Sequence, residues 1–218
     1  MGKRRAQLTF FIGTNGVGKS TAQKAFLAAN ARNLVWPASA MDRGWSEFEK
    51  IKPVKMVVED PNSLPGKKKE KVVYRLKGIN AYKGTRVVDT SEMMDENLVI
   101  DCFKNSLSAI NGFKKGGLFI DDFKGLIKTQ GTLPYEIRKL MNDMRHIEVD
   151  IFMATHGFRE INFQFFQHNP TFYIFKSHSP PGKKVQDQYK DYPALMEAFN
   201  RVQDRSKKDH YYCEKFPK

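Results

Sequence analysis

The chain has 218 residues, 40% of them hydrophobic, and its 37 Lys and Arg outweigh 24 Asp and Glu to give a net charge of +13. That size and apolar content suit one α/β domain with its own core, and the basic balance points to a polyanionic partner, either nucleic acid or an anionic membrane surface. Two cysteines, Cys102 and Cys213, exclude a disulfide scaffold and a Cys-rich metal site, which suits reduced thiols in an intracellular protein, and no apolar run approaches the ~18 residues of a membrane-spanning helix.

The basic start, Met1 to Arg5, leads straight into the first strand and does not read as a secretory signal. Met1-Gly2 opens like a myristoylation site, but Ala6 stands where Ser or Thr is required. Leu8-Thr9-Phe10-Phe11-Ile12 is an apolar run that predicts a buried strand. It ends at Gly13-Thr14-Asn15-Gly16-Val17-Gly18-Lys19-Ser20, a complete G-x-x-x-x-G-K-[ST] phosphate loop followed by Thr21. The glycines let backbone N–H groups converge on phosphate oxygens. Lys19 carries charge to the β/γ-phosphates of ATP, and Ser20 offers a hydroxyl to Mg²⁺. Ser20 to Arg32 predicts a helix, with Ala22, Ala25, Phe26 and Ala29 at helical spacing and its N-terminus aimed at the phosphates.

Asn33-Leu34-Val35-Trp36 predicts a second strand, stopped by Pro37. Residues 50 to 90 change character. Val54–Val58, Lys71–Leu76 and Arg86–Val88 read as short strands separated by turn residues, and predict a small antiparallel β insertion or sheet extension. Residues 50 to 86 hold eleven bases and three acids, including the run Lys67-Lys68-Lys69. A solvated loop accounts for that run by itself. Leu98, Cys102, Phe103, Leu107 and Ile110 share one face of a helix over 95 to 111. Gly117-Leu118-Phe119-Ile120 predicts a buried strand that ends in Asp121-Asp122.

Pro134 opens a helix with Ile137, Leu140, Met141 and Met144 on one side. Val149 to His156 predicts a strand, Ile161 to His168 a short helix or turn, and Thr171 to Lys176 another strand. A Pro/Gly/Lys loop follows at Ser179 to Lys184, and a last helix runs from about Pro193 to Val202. Alternating β and α elements imply a mainly parallel sheet covered by helices, in one domain over 1 to 218, with a basic C-terminal extension from about 178.

Two strand ends carry chemistry. Leu118–Ile120 followed by Asp121-Asp122 is a Walker B candidate, in which Asp121 serves the Mg²⁺ shell and Asp122, standing where Glu is usual, orients or activates the attacking water. Ala154-Thr155-His156-Gly157 offers polar groups at a strand's C-terminal end, where α/β sheets place their ligands. Thr155 or His156 touches the γ-phosphate on this reading.

Taken in order, Gly13–Thr21, Leu118–Asp122 and the block Arg138 to His156 resemble the FtsK–HerA superfamily of ring ATPases, and most of all its small viral genome-packaging members. The resemblance covers about residues 6 to 177. It implies a P-loop NTPase fold and an ATP-hydrolysing ring that drives double-stranded DNA into a preformed capsid. The implied partners are further copies of the chain, the DNA, and a capsid or portal vertex protein. The implied setting is the host cytoplasm, with association at the packaging vertex of the virion. It also implies an arginine delivered across a subunit interface. Arg145 falls nearest the family's position before the strand, with Arg138 and Arg159 as alternatives. Thr155-His156 replaces the family's usual Thr-Gln, a departure at the sensor.

Other P-loop classes fit less well. The loop Gly13-Thr14-Asn15-Gly16 looks like that of ABC-type ATPases, but Leu107-Ser108-Ala109-Ile110 is no Leu-Ser-Gly-Gly-Gln signature. A GTPase would carry Asn-Lys-x-Asp, and a nucleoside kinase an arginine-rich lid without paired acids. Zot-like phage assembly ATPases share the acid pair and the Arg-His stretch but continue into a membrane span. A nucleotide-switched DNA-binding protein without motor activity is the other alternative.

Overall fold

The computed structural model of the chain describes residues 6–37, 43–59, 70–79, 81–93, 95–110, 115–127 and 131–217. In chain order the elements are β1 (Leu8–Ile12), α1 (Lys19–Lys24), β2 (Arg32–Trp36), β3 (Glu49–Ile51), β4 (Val54–Glu59), β5 (Glu70–Arg75) and β6 (Gly84–Val88). There follow α2 (Glu96–Ile110), β7 (Gly116–Ile120), α3 (Tyr135–Ile147), β8 (Val149–Thr155), β9 (Thr171–Ile174), α4 (Lys183–Gln188), α5 (Tyr192–Arg205) and β10 (Glu214–Phe216). Eight strands form one sheet in the order β10-β9-β1-β8-β7-β2-β6-β3. All neighbours run parallel except β10, which is antiparallel to β9. The architecture is the α/β, mainly parallel sheet that the alternating pattern predicts.

The central strands are buried on both faces, as a parallel sheet between helices requires. Successive side chains point to opposite faces. Phe10 and Ile12 of β1, Leu118 and Ile120 of β7, and Ile151 and Met153 of β8 join the larger core. There they meet Ile137, Leu140, Met141 and Met144 of α3, the side predicted for that helix, and Leu195, Phe199 and Val202 of α5. Phe11, Val35, Phe119 and Phe152 face the other way and pack with Ala22 and Phe26 beside α1. Phe119 stacks on Phe152 with centroids 4.5 Å apart, and Phe11 on Tyr173 at 5.2 Å. The fully buried rings of Phe11, Phe119 and Phe152 each contribute about 1.5–3 kcal/mol.

The first helix is shorter than Ser20 to Arg32. It ends at Lys24, and a 3-10 turn follows over Leu27–Ala29. Tertiary packing overrides the alanine-rich propensity here. Phe26 sits between the rings of Phe11, Phe152 and Tyr173, at 5.1 to 5.7 Å, and the Leu27 carbonyl accepts from Asn33 Nδ2 at 3.0 Å.

Residues 50 to 90 hold both the small antiparallel insertion and an extension of the main sheet. Within this stretch the antiparallel pair is β4 and β5, which form a separate two-stranded sheet. Gly84–Val88 instead lies in the main sheet, parallel to β2, with Val87 and Val88 buried. Glu49–Ile51 extends that sheet beyond it, where Glu49 pairs with Arg86. The β4–β5 hairpin leans on α2, where Ser106 Oγ accepts from the Leu76 N–H at 3.1 Å and Lys71 meets Asp101 at 3.4 Å. Lys67, Lys68 and Lys69 lie outside the described residues, as does Asn111-Gly112. The short helix α4 and the edge strand β10 were not predicted. Among the described residues no helix is long and apolar enough to cross a membrane.

Candidate functional site

Three parallel strands deliver the site to one edge of the sheet. Register pairs Ile12 with Thr155 and Ile120 with Met153, so Gly13, Thr155 and Asp121 emerge side by side. The loop after β1 is pinned from both sides. Gly13 N–H donates to the Thr155 carbonyl at 3.0 Å and Thr14 N–H to the Lys176 carbonyl at 2.9 Å. Val17 anchors the loop in the core. Gly13 has no room for a side chain: a Cβ there would lie 2.7 Å from Phe175 Cβ and 3.1 Å from the Lys176 carbonyl oxygen. Gly18 has φ +91, a left-handed conformation that suits glycine. Asn15, Gly16 and Thr21 are exposed at the outer side of the loop.

Lys19 is 9% exposed, and its ammonium donates to the carbonyls of Gly13 at 2.6 Å and Thr14 at 2.8 Å. Burial lowers its pKa from the ordinary lysine value, while the charges of Asp121, Asp122 and Glu160 oppose that shift. Asp121 is buried, and its Oδ2 accepts from Ser20 Oγ at 2.9 Å and from Trp45 Nε1 at 3.0 Å. The predicted Mg²⁺ pair, Ser20 and Asp121, is therefore in contact. Mg²⁺ usually takes one or two carboxylates together with waters and substrate phosphates. A hydroxyl and one carboxylate fit that habit. Among the described residues no group of three or more His, Cys, Asp and Glu is placed to hold a metal by itself.

Asp122 follows in a left-handed conformation, φ 50 and ψ 69. Its Oδ2 lies 3.4 Å from His156 Nε2. Its Oδ1 is buried and has no hydrogen-bond partner among the described residues. An unpartnered buried oxygen is costly, and this one leaves an acceptor of the Asp122 carboxylate unused. Thr155 is fully buried, and its hydroxyl donates to Glu160 Oε2 at 2.7 Å, which also accepts the His156 N–H at 3.0 Å. Glu160 Oε1 accepts from Lys124 Nζ at 3.2 Å. Burial alone would raise the Glu160 carboxyl, but the bonds from Thr155, His156 and Lys124 outweigh it and hold the group below its usual range. Glu160 thus ties the strand end bearing Thr155 and His156 to the turn that follows Asp122.

Of the residues predicted from the sequence, Gly13 to Ser20, Asp121, Asp122, Thr155 and His156 are brought together. Arg145 is not. It is exposed in the last turn of α3, at the opposite edge of the sheet, where it lines a cavity of about 220 Å³ with Gln7, His168 and Thr171. Arg138 borders a neighbouring cavity with Gln164 and His168. Arg159 is exposed on the same turn as Glu160, on the loop side. Trp45 and Glu160 carry no motif, and sequence reasoning missed both. No spacing marks either: Trp45 stands in Arg43-Gly44-Trp45-Ser46, and Glu160 between Phe158 and Ile161.

No protein-family model matches the sequence, and no curated protein matches it. Solved structures do match. The genome packaging NTPase B204 from Sulfolobus turreted icosahedral virus 2, in complex with sulfate, aligns over 92% of this chain and 86% of its own, with 14% identity and a TM-score of 0.59. Its complex with AMPPCP aligns over 99% and 98%, at 11% identity and a TM-score of 0.55. Its complex with ATP-gammaS aligns over 90% and 87%, at 15% identity and a TM-score of 0.55. The likeness establishes the fold as that of a P-loop NTPase, and it matches the resemblance drawn from the motifs.

Proposed function

We propose that this chain is an ATP-hydrolysing ring motor that translocates double-stranded DNA, packaging a viral genome into a preformed capsid. The observation that carries the hydrolytic half is the convergence of Lys19, the Ser20–Asp121 contact and the Asp122–His156 pair at one sheet edge. The translocating half is supported by the net charge of +13 and by a fold shared with a structure described as a genome packaging NTPase.

Mg²⁺, when bound, would supply positive charge against the charge that develops on the phosphates. Ser20 and Asp121 are the residues that would hold it. Lys19, now satisfied by two loop carbonyls, turns its ammonium to the β/γ-phosphates, and the burial around it strengthens that attraction. Asp122 accepts a hydrogen bond from the attacking water through the free Oδ1 and orients it, while His156 fixes the carboxylate through Oδ2. Thr155 and His156, held by Glu160, report the γ-phosphate and its loss to the rest of the sheet. Arg145 serves the loop of the neighbouring subunit, with Arg159 as the alternative donor. Such a ring works in the host cytoplasm and docks on a capsid or portal vertex protein.

The test is the rate of ATP hydrolysis with and without duplex DNA. We expect stimulation by duplex of any sequence, falling steeply with salt as the release of counterions into a more concentrated solution gains less entropy. Lys55, Arg75 and Lys77 are exposed on or beside the β4–β5 hairpin. Replacing all three by Gln flattens the log–log salt slope of DNA binding by up to about 3 units if each meets a phosphate. A rate indifferent to DNA would refute the motor and leave a nucleotide-switched protein.

A further inference from the structure

One exposed aromatic ring stands against the wall of the Gly13–Ser20 loop. A Cβ placed on Gly18 would lie 3.6 Å from Tyr211 Cδ1, yet Tyr211 itself is 66% exposed. Its place is fixed by the segments around it. β10 pairs Glu214 with Ile174 of β9, and β9 lies beside β1, the strand that feeds the loop. Arg201 of α5 holds Glu214 at 2.6 Å. Arg205 donates to Tyr212 Oη at 2.8 Å, and the Tyr211 N–H donates to Asp209 Oδ1 at 3.0 Å. The two adjacent tyrosines diverge: Tyr212 packs against the core, and Tyr211 stays outside it. His210 stands at 81° to the Tyr211 ring, with centroids 5.3 Å apart, an edge contact that orients the ring without stacking over it.

Packing gives this ring little in return for its contact with water, and a tethered turn presents it beside the phosphate loop. We propose that Tyr211 is the base platform of the nucleotide site: with a triphosphate on the Gly13–Ser20 loop, the base of the nucleotide lies on the Tyr211 ring. The proposal rests on the reading of that loop as the nucleotide site. Stacking uses the π-face that every base has and not its hydrogen-bonding edge. The ligand class is therefore a nucleoside triphosphate held by the face of its base and not by its edge, with ATP and GTP held about equally.

Calorimetric titration of ATP and of inorganic tripolyphosphate separates the two parts of the site. Tyr211→Ala should weaken ATP by about 5- to 150-fold, the range for loss of one base–aromatic stack, and leave tripolyphosphate affinity unchanged. Tyr211→Phe should retain ATP affinity. If Tyr211→Ala binds ATP as wild type does, while Lys19→Ala loses both ligands, the platform is overturned and the loop reading stands. If wild-type protein binds neither ligand, the loop reading falls and the platform falls with it.

Discussion

Asp122 shows how backbone conformation selects a side chain. At φ 50 it occupies the left-handed region, where Asp and Asn are enriched because their short polar side chains tolerate it. The sequence shows only an Asp where a Glu is usual; the backbone supplies a reason for it. The short arm also brings Oδ2 within 3.4 Å of His156. Asp122→Asn should keep Mg-ATP binding and slow hydrolysis by about 10²–10⁴-fold, the usual worth of a positioned acid or base. Asp121→Asn should instead weaken Mg²⁺-dependent binding. Equilibrium binding beside single-turnover rates tells the two apart, and the opposite pattern would exchange their roles. Most of this site was legible in the sequence because its chemistry is local: eight consecutive loop residues, two adjacent acids, and a Thr-His pair at a strand end. Glu160 was not legible. It lies five residues beyond Thr155, but its meaning depends on Lys124, which is 36 positions away in the chain and reaches it only through the fold.

Among elements, the strands with continuous apolar runs were read within a residue or two, because burial on both faces leaves an unmistakable composition. β10 escaped notice for the opposite reason. Glu214-Lys215-Phe216 carries one buried side chain, and its strand state comes from pairing with β9. Helix α1 was overestimated because alanine content speaks for propensity and not for the aromatic pocket that claims Phe26. Strand β7 carries a sharper requirement, at Gly117. A Cβ there would stand 2.6 Å from Phe119 Cε2, 2.7 Å from Asn33 Oδ1 and 3.0 Å from Asn30 Nδ2. Gly117→Ala should cost about 1–3 kcal/mol through overpacking. Chemical denaturation measures it. A midpoint equal to wild type would mean that these three side chains yield freely.

At the scale of the molecule, strand order decides which groups can meet. β8 lies between β1 and β7, so Thr155 and His156 stand between the phosphate loop and the two acids. The same strand separates Arg145 from that edge by its whole length, about 20 Å for seven residues. Within one chain, then, Arg145 does not serve its own loop, and the proposed role needs a second copy. Arg145→Ala should bind ATP normally and fail to hydrolyse it. Mixed with Lys19→Ala subunits it should regain some activity, since one interface then joins an intact loop to an intact arginine. Mixed rings that form and stay inactive would remove Arg145 from the role and bring Arg159 forward.

The contact between Trp45 and Asp121 has an optical side. The chain holds only two tryptophans. Trp36 is packed edge-on to Phe103 in the core, at 5.0 Å, and its Nε1 finds no hydrogen-bond partner among the described residues. Trp45 alone gives its indole N–H to the carboxylate that would take the metal. A cation drawing on Asp121 changes the electric field along that N–H, and with it the emission of one fluorophore out of two. Titrating Mg-ATP should therefore shift the intrinsic fluorescence without any label. The shift should persist in Trp36→Phe and vanish in Trp45→Phe, which makes the protein its own gauge of how full its site is.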